Sequence, residues 1–342
     1  MVKRILNQVL LIDGSYLLHR QLRQPELFNL KNIKGEGTGG VFGFLRSFNK
    51  EINQYPKYFP VVVFDKGLSQ RRIKVDECYK RANERDNAYK LVTQDEFEDE
   101  YITQYRKQRT VLSEILPYLG VPVLMFDGYE GDDLIYMVSQ MCNDCLLLSD
   151  DKDMLQLLSD TVKIRRPMAN EYWTVDKFLK DKNYIDTFDF VIYKALRGDD
   201  SDNIPSSCKG VGDKTILPLI RLLREFSKDR QCNEWYGLEY NFPKTEEQLK
   251  NLCDKFNLTY KKAYLNLDVG RFVKNISLVD LTLCDDLNYI EKPVISKLEN
   301  CNKDVNFFAV MQQMSKYNVY DIHIENIIAG ILIRYKNLFV RD

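Results

Sequence analysis

Histidine is scarce in this chain of 342 residues: only His19 and His323 occur, far apart and outside any metal-ligand spacing. That argues against histidine acid–base chemistry and against an imidazole metal site. An excess of one charge is also missing, because 49 basic residues face 50 acidic ones for a net charge of -1. Any surface for nucleic acid must therefore come from local segregation of charge rather than from a basic total. The eight cysteines make no disulfide framework, and Cys142 and Cys145 form a C-x-x-C with no second pair at zinc spacing. Free thiols in a reducing compartment fit that usage. No apolar run approaches the ~18–20 residues that span a bilayer. The apolar run near the N-terminus is broken by Asp13 before it could act as a signal segment. A soluble intracellular protein without membrane contact is expected. The glycine-rich stretch KGEGTGGVFGF at 34–44 lacks the G-K-[ST] ending of a phosphate-binding P-loop and is expected to end a flexible loop and start a helix.

About 44% of the residues are hydrophobic, enough for a sizeable core. Short apolar runs at 9–12, 61–64, 121–126 and 146–148, with a weaker one at 161–164, have the length and composition of buried strands. Helical patterns lie between them at 40–52, 97–119, 132–141 and 152–158. The alternation predicts an α/β fold with a mainly parallel, doubly wound sheet, whose ligands bind beyond the carboxyl ends of the strands. Residues 66–105 interrupt the rhythm with a charged insertion, basic in its first half and acidic in its second. From about 185 onward the pattern is helical, with helices at 188–197 and 214–226 around a Gly/Pro/Ser-rich turn. The expected division is an α/β domain at 1–185 and a helical region at 186–342, whose last hundred residues carry no legible motif.

The chemistry lies in carboxylates at element junctions. Asp13 and Asp65 follow strands; Glu130, Asp132 and Asp133 stand in YEGDD at a helix start; Asp151 and Asp153 follow the fourth strand; Asp199 and Asp202 lie in the interhelical turn GDDSDNIP. Singly, such acids cap helices and favour the helix dipole. Gathered together they would repel one another unless hard divalent cations with oxygen ligands neutralised them.

The ordered stretches LLIDGSYLLHR, VFGFLRSF, VVVFDKG, YEGDDLIY, LLLSDDKDMLQLL and GDDSDNIPSSCKGVGDKTI resemble the flap-endonuclease and 5′-nuclease family. That family includes bacteriophage 5′–3′ exonucleases of the ribonuclease H type and the 5′-nuclease domain of DNA polymerase I. The resemblance spans roughly residues 9–225. It implies a first metal site with Asp13, Asp65, Glu130, Asp132 and Asp151, and a second with Asp153, Asp199 and Asp202, Asp133 supporting both. Asp150 and Asp200 fall where the family does not demand an acid. The insertion at 66–105 corresponds to the family's helical arch. In it Lys80 would contact the scissile phosphate, Tyr79 could stack on a base, and Arg81 and Arg85 are candidates for the accompanying arginine, Arg85 being favoured, because Asn83 stands where the family commonly has one. The turn SSCKGVGDKT resembles the helix–three-turn–helix (a helix-hairpin-helix element, at about 188–226), with Lys209, Gly210, Gly212 and Lys214 meeting duplex phosphates and a K⁺ ion as a further implied ligand.

What the resemblance implies is a monomeric, structure-specific 5′→3′ exonuclease and flap endonuclease in the cytoplasm of a bacterium or a phage-infected host. It would use two Mg²⁺ ions, for which Mn²⁺ could substitute. Its substrates would be DNA with a 5′ flap or 5′ end and RNA–DNA primers, in DNA replication and alongside replication proteins. The competing readings are a PIN-domain-type ribonuclease and a catalytically inert DNA-binding module on the same fold. The helix–three-turn–helix match speaks against the first, and the presence of all nine acids against the second.

Overall fold

The computed structural model describes residues 4–80, 96–225, 242–283, 288–317 and 324–340. The chain divides into two compact units. One comprises residues 1–69, 90–177 and 285–342, and the other 70–89 and 178–284.

The first unit is built on a six-stranded sheet with strand order β3-β2-β1-β4-β5-β6. The strands are β1 (Leu6–Asp13), β2 (Phe59–Val63), β3 (Val123–Leu124), β4 (Cys142–Leu148), β5 (Val162–Arg166) and β6 (Glu171–Trp173). β1 to β5 pair in parallel, and β6 returns antiparallel on β5. Successive residues of a strand face opposite sides of the sheet. Leu10 and Leu11 are both fully buried, so both faces are covered, as an all-apolar parallel strand requires. The expected strand at 121–126 contracts to Val123–Leu124, and the expected helix at 152–158 is a 3-10 helix at Lys152–Leu157. In this order the chain runs outward from β1 to β3 and then returns to the other side of β1 as β4. The switch point of the sheet is therefore the gap between the carboxyl ends of β1 and β4.

Helices α1 (Gly14–Leu22), α2 (Pro25–Phe28) and α3 (Gly39–Gln54) follow β1, and α5 (Glu96–Tyr118) precedes β3. α6 (Gly131–Gln140) leads into β4. The C-terminal helices α12 (Asn288–Asn300), α13 (Phe307–Lys316) and α14 (Ile324–Tyr335) also belong to this unit. A single cut near residue 185 does not describe this arrangement. Residues 285–342 bury Val294, Leu298, Ile327 and Ile331 within the sheet unit. They are pinned there by Lys297 on the Val123 carbonyl and Arg334 on the carbonyls of Ile52 and Pro56.

The second unit contains α4 (Gln70–Val75), α8 (Phe188–Arg197), α9 (Asp213–Arg224), α10 (Glu246–Lys255) and α11 (Val269–Val279), and α7 (Val175–Lys182) leads into it. Its core gathers Phe188, Ile192, Ile220, Leu223, Phe272 and Ile276. Arg224 closes one end by donating to Asp186 and Asp189 at 2.7–2.9 Å. No helix among the described residues is long and apolar enough to cross a membrane.

Candidate active site and nucleic-acid interface

Because β1, β2, β3 and β4 are parallel, everything that follows their carboxyl ends emerges at one edge of the sheet. Asp13 is the last residue of β1, Asp65 lies two residues beyond β2, and Asp151 and Asp153 follow β4. Glu130, Asp132 and Asp133 come after β3, at the start of α6. Seven of the nine acids singled out in the sequence are thus carried to the same edge, around the switch point.

Local chemistry fixes each of them. Asp13 caps α1, its carboxylate accepting the Tyr16 N–H at 2.9 Å and the Ser149 hydroxyl at 2.8 Å. The same Ser149 oxygen accepts the Asp151 N–H at 3.1 Å, so one serine joins the ends of β1 and β4. Asp65 is held at three points. Its N–H donates to Ser15 Oγ at 3.0 Å, its carbonyl accepts Arg109 Nη1 at 2.6 Å, and its carboxylate accepts the Gly131 N–H at 2.6 Å. A side chain at position 131 would place a Cβ 3.0 Å from that carboxylate oxygen, which accounts for the glycine in YEGDD. Asp133 is 1% exposed and accepts the Glu130 N–H at 3.2 Å as part of a capping box. Asp151 in turn caps the 3-10 helix by accepting the Asp153 N–H at 2.8 Å. The acids of this edge therefore serve as caps as well as candidate ligands.

Burial pushes the Asp13 carboxyl up, and the Asp65 and Asp151 carboxylates add to the push, to about 7. Among the described residues no three His, Cys, Asp or Glu side chains stand ready to close on a metal ion. The donors nonetheless fit one. Among the described residues the Asp13 and Asp65 carboxylates accept from backbone N–H groups and a serine hydroxyl, Arg109 meeting only the Asp65 carbonyl, and hard oxygen donors of one sign suit a divalent cation.

Asp199 and Asp202 lie in the helical unit, and each meets a lysine. Asp199 accepts Lys194 Nζ at 2.5 Å. Burial raises its carboxyl, but the bonds from Lys194 and Ser201 outweigh that and leave it below the ordinary range. Asp202 lies 3.5 Å from Lys80 Nζ and accepts the Tyr79 hydroxyl at 3.2 Å, while its carbonyl accepts the Lys80 N–H at 3.1 Å. Lys80 has a positive φ of 53°, a conformation held by these contacts. Tyr79 corrects the sequence reading: it is 2% exposed within the helical core, with Arg72 and Lys80 over its ring, so it offers no face for a base. Arg81 and Arg85 lie outside the described residues, as do positions 81–95 of the expected arch.

The turn between α8 and α9 presents Lys209, Gly210 and Gly212 to solvent. It is braced from behind by the Ser206 and Ser207 hydroxyls on the Leu196 and Ala195 carbonyls, and by Asn266 on the Lys209 carbonyl. Gly210 has φ +82°, which only glycine adopts without strain, and Gly212 caps α9 without a side chain to bond the amides of its first turn. Such an end attracts phosphate. The side chain of Lys214 is outside the described residues. The two buried cysteines of β4, Cys142 and Cys145, are free thiols. His19 is a packing residue stacked 4.0 Å from the Tyr105 ring. Sequence reasoning missed Ser15, Ser149 and Arg109, which hold Asp13, Asp65 and Asp151; the serines directly follow DG and precede DD, the one local signal that could have found them.

A carboxylate-lined edge on a parallel sheet, with a braced glycine turn in a separate helical unit, is an arrangement that suits a nuclease. The chain belongs to the 5′-3′ exonuclease family: residues 8–184 match the model of the 5′-3′ exonuclease N-terminal resolvase-like domain. Membership makes it a hydrolase of phosphodiester bonds. The chain is 27% identical over 310 residues to a 5′-3′ exonuclease of Aquifex aeolicus, covering 90% of this chain and 94% of that protein. It is 30% identical over 280 residues to a 5′-3′ exonuclease of Buchnera aphidicola, covering 78% and 90%. A thermostable DNA polymerase I of Thermus thermophilus is 28% identical over 288 residues, which are 80% of this chain but 30% of that protein. The fold matches T5 5′-exonuclease with divalent zinc bound, at a TM-score of 0.58 and 20% identity over 95% of this chain and 99% of that one. It also matches the T5 D15 flap endonuclease in complex with DNA and metal ions, at a TM-score of 0.55 and 19% identity over 96% and 99%. At these identities the likeness is one of fold.

Proposed function

We propose that this protein cuts DNA at 5′ ends and at the junctions of 5′ flaps, using a pair of Mg²⁺ ions at the carboxyl edge of its sheet. The observation that carries the reading is Asp13, raised to about 7 by burial, by the Asp65 carboxylate beyond β2 on one side and by the Asp151 carboxylate across the switch point on the other. Such a site gains most when a cation arrives. Asp13, Asp65, Glu130, Asp132 and Asp151 would hold one ion, with Asp153 serving the second and Asp133 supporting both. Bound there, the ions supply an activated water and neutralise charge at phosphorus. Ser149 and the Gly131 N–H keep Asp13 and Asp65 oriented for this task. Lys80, now paired with Asp202, would turn its ammonium to the scissile phosphate. Lys209, Lys214 and the amides around Gly210 and Gly212 would grip the duplex through phosphates, which positions without reading sequence. Removal of RNA primers and flaps during replication, in the cytoplasm, is the role that suits this activity.

The test is cleavage of a 5′-flap duplex and of an RNA-primed duplex by purified protein. Turnover with Mg²⁺, its loss in EDTA, and 5′-phosphate products are the expected outcome. Cleavage that persists in EDTA, or a preference for unpaired RNA without a duplex, would overturn the reading.

A further inference from the structure

Asp150 precedes Asp151 and lies outside the assigned carboxylate set, yet its side chain is 11% exposed and is engaged from three directions. Its carboxylate accepts the Tyr16 hydroxyl from α1. It also accepts the Met168 N–H at 2.9 Å and the Ala169 N–H at 3.2 Å, both from the tip of the β5–β6 hairpin. Arg166 completes the set, with Nε 3.9 Å from the carboxylate and Nη2 donating to the Asp150 carbonyl at 3.2 Å. Arg166 is itself held by Glu171 at 2.6 Å, which also accepts Trp173 Nε1 at 2.9 Å.

These bonds have a common effect. Tyr16 is the residue whose N–H binds the Asp13 carboxylate, so its hydroxyl ties the α1 end that carries Asp13 to the residue beside Asp151. Ser149 makes a second tie across the same gap. Two cross-links therefore span the switch point, and the hairpin tip anchors one of them from outside. Hydrogen bonds to an ionised acceptor are roughly twice as strong as neutral ones, which suits a carboxylate used as a fastener.

We propose that Asp150 is a positioning residue that fixes the spacing of Asp13 and Asp151, and with it the affinity of this edge for a divalent cation. The inference rests on the metal-dependent nuclease reading above. Removing a group that orients metal ligands costs about 10–100-fold in metal affinity or activity.

The experiment follows Mn²⁺ binding by electron paramagnetic resonance in wild type, Asp150→Ala and Tyr16→Phe. Flap cleavage against Mg²⁺ concentration, duplex binding in EDTA and melting temperature are measured beside it. Mn²⁺ affinity is expected to fall about 10-fold or more in Asp150→Ala and about 5-fold in Tyr16→Phe, which loses one hydrogen bond. Turnover should recover in part at high Mg²⁺, with duplex binding unchanged. A lowered melting temperature with Mn²⁺ affinity unmoved would assign Asp150 a purely structural part and overturn the proposal. Should Asp150→Ala not fold, a folded Tyr16→Phe with wild-type Mn²⁺ affinity overturns it equally. If wild type binds Mn²⁺ and the variants bind it weakly but none cuts nucleic acid, the positioning role is supported while the nuclease reading fails. If wild type binds no Mn²⁺, both fail.

Discussion

At the sheet edge Asp13 and Asp65 are met by backbone N–H groups and a serine hydroxyl, whereas in the helical unit Asp199 is met by Lys194 and Asp202 by Lys80. The same residue type is therefore left crowded by like charge in one region and neutralised by a built-in cation in the other. Asp13 moves up to about 7 and Asp199 moves below its ordinary range. A crowded carboxylate is stabilised when a divalent cation arrives, while a paired one must first release its lysine. The comparison teaches that the same side chain is set up for different partners: the sheet edge leaves charge for a cation from outside to meet, and the turn supplies its own lysines.

The largest effect should come from Asp13→Asn. Cleavage is expected to fall on the order of 10³-fold, as when a key transition-state contact is lost. The melting temperature should hold or rise, because a repelled charge has been removed. A variant that keeps its turnover would show that the crowding at Asp13 has nothing to do with catalysis. Next is Lys194→Met, which strands a largely buried Asp199 and should cost about 3 kcal/mol in chemical denaturation. Millimolar Mg²⁺ should then stabilise the variant more than wild type. Equal stabilisation of both would break the idea that lysine and metal exchange at that aspartate.

The third prediction concerns His19, where burial comes first, and Arg23 and Arg109 add to it, in holding the imidazole down to about 4. The unfolded chain takes up its proton near 6.5, so stability is full above that pH and is lost as pH falls from about 6.5 towards 4. The loss should be on the order of 2 kcal/mol, and His19→Gln should flatten that part of the curve. The smallest effect is Gly210→Ala: the left-handed backbone costs a side chain about 1 kcal/mol, and duplex affinity should weaken with cleavage of a nicked minimal substrate little changed. Full affinity in that variant would detach the turn from DNA binding.

The parts of the molecule legible in the sequence are those where one residue type suffices. Val9–Ile12 and Leu146–Leu148 could only be buried strands, and the acids at their ends had to emerge together once the strands were parallel. Helix Phe188–Arg197 matched its amphipathic pattern residue for residue. Features that depend on pairing across the chain were not legible. β6 is three residues long and exists because β5 is there to pair with it. α1 was hidden because Asp13-Gly14 looks like a turn, whereas Asp13 is its cap. Tyr79 in a charged segment looked like a surface aromatic, but the helical core closes over it. Lys194 as the partner of Asp199 had no signature beyond five residues of spacing. The return of residues 285–342 to the sheet unit likewise left no local mark, because an amphipathic helix does not name its partner.

That return has a practical consequence for engineering. Val340 donates to the Ile5 carbonyl at 2.9 Å, and Leu6 forms a bridge with Phe339. A label placed between Tyr335 and Val340 would compete with these bonds to the start of β1, whereas one at the exposed Asp127 would disturb only its ion pair with Lys66.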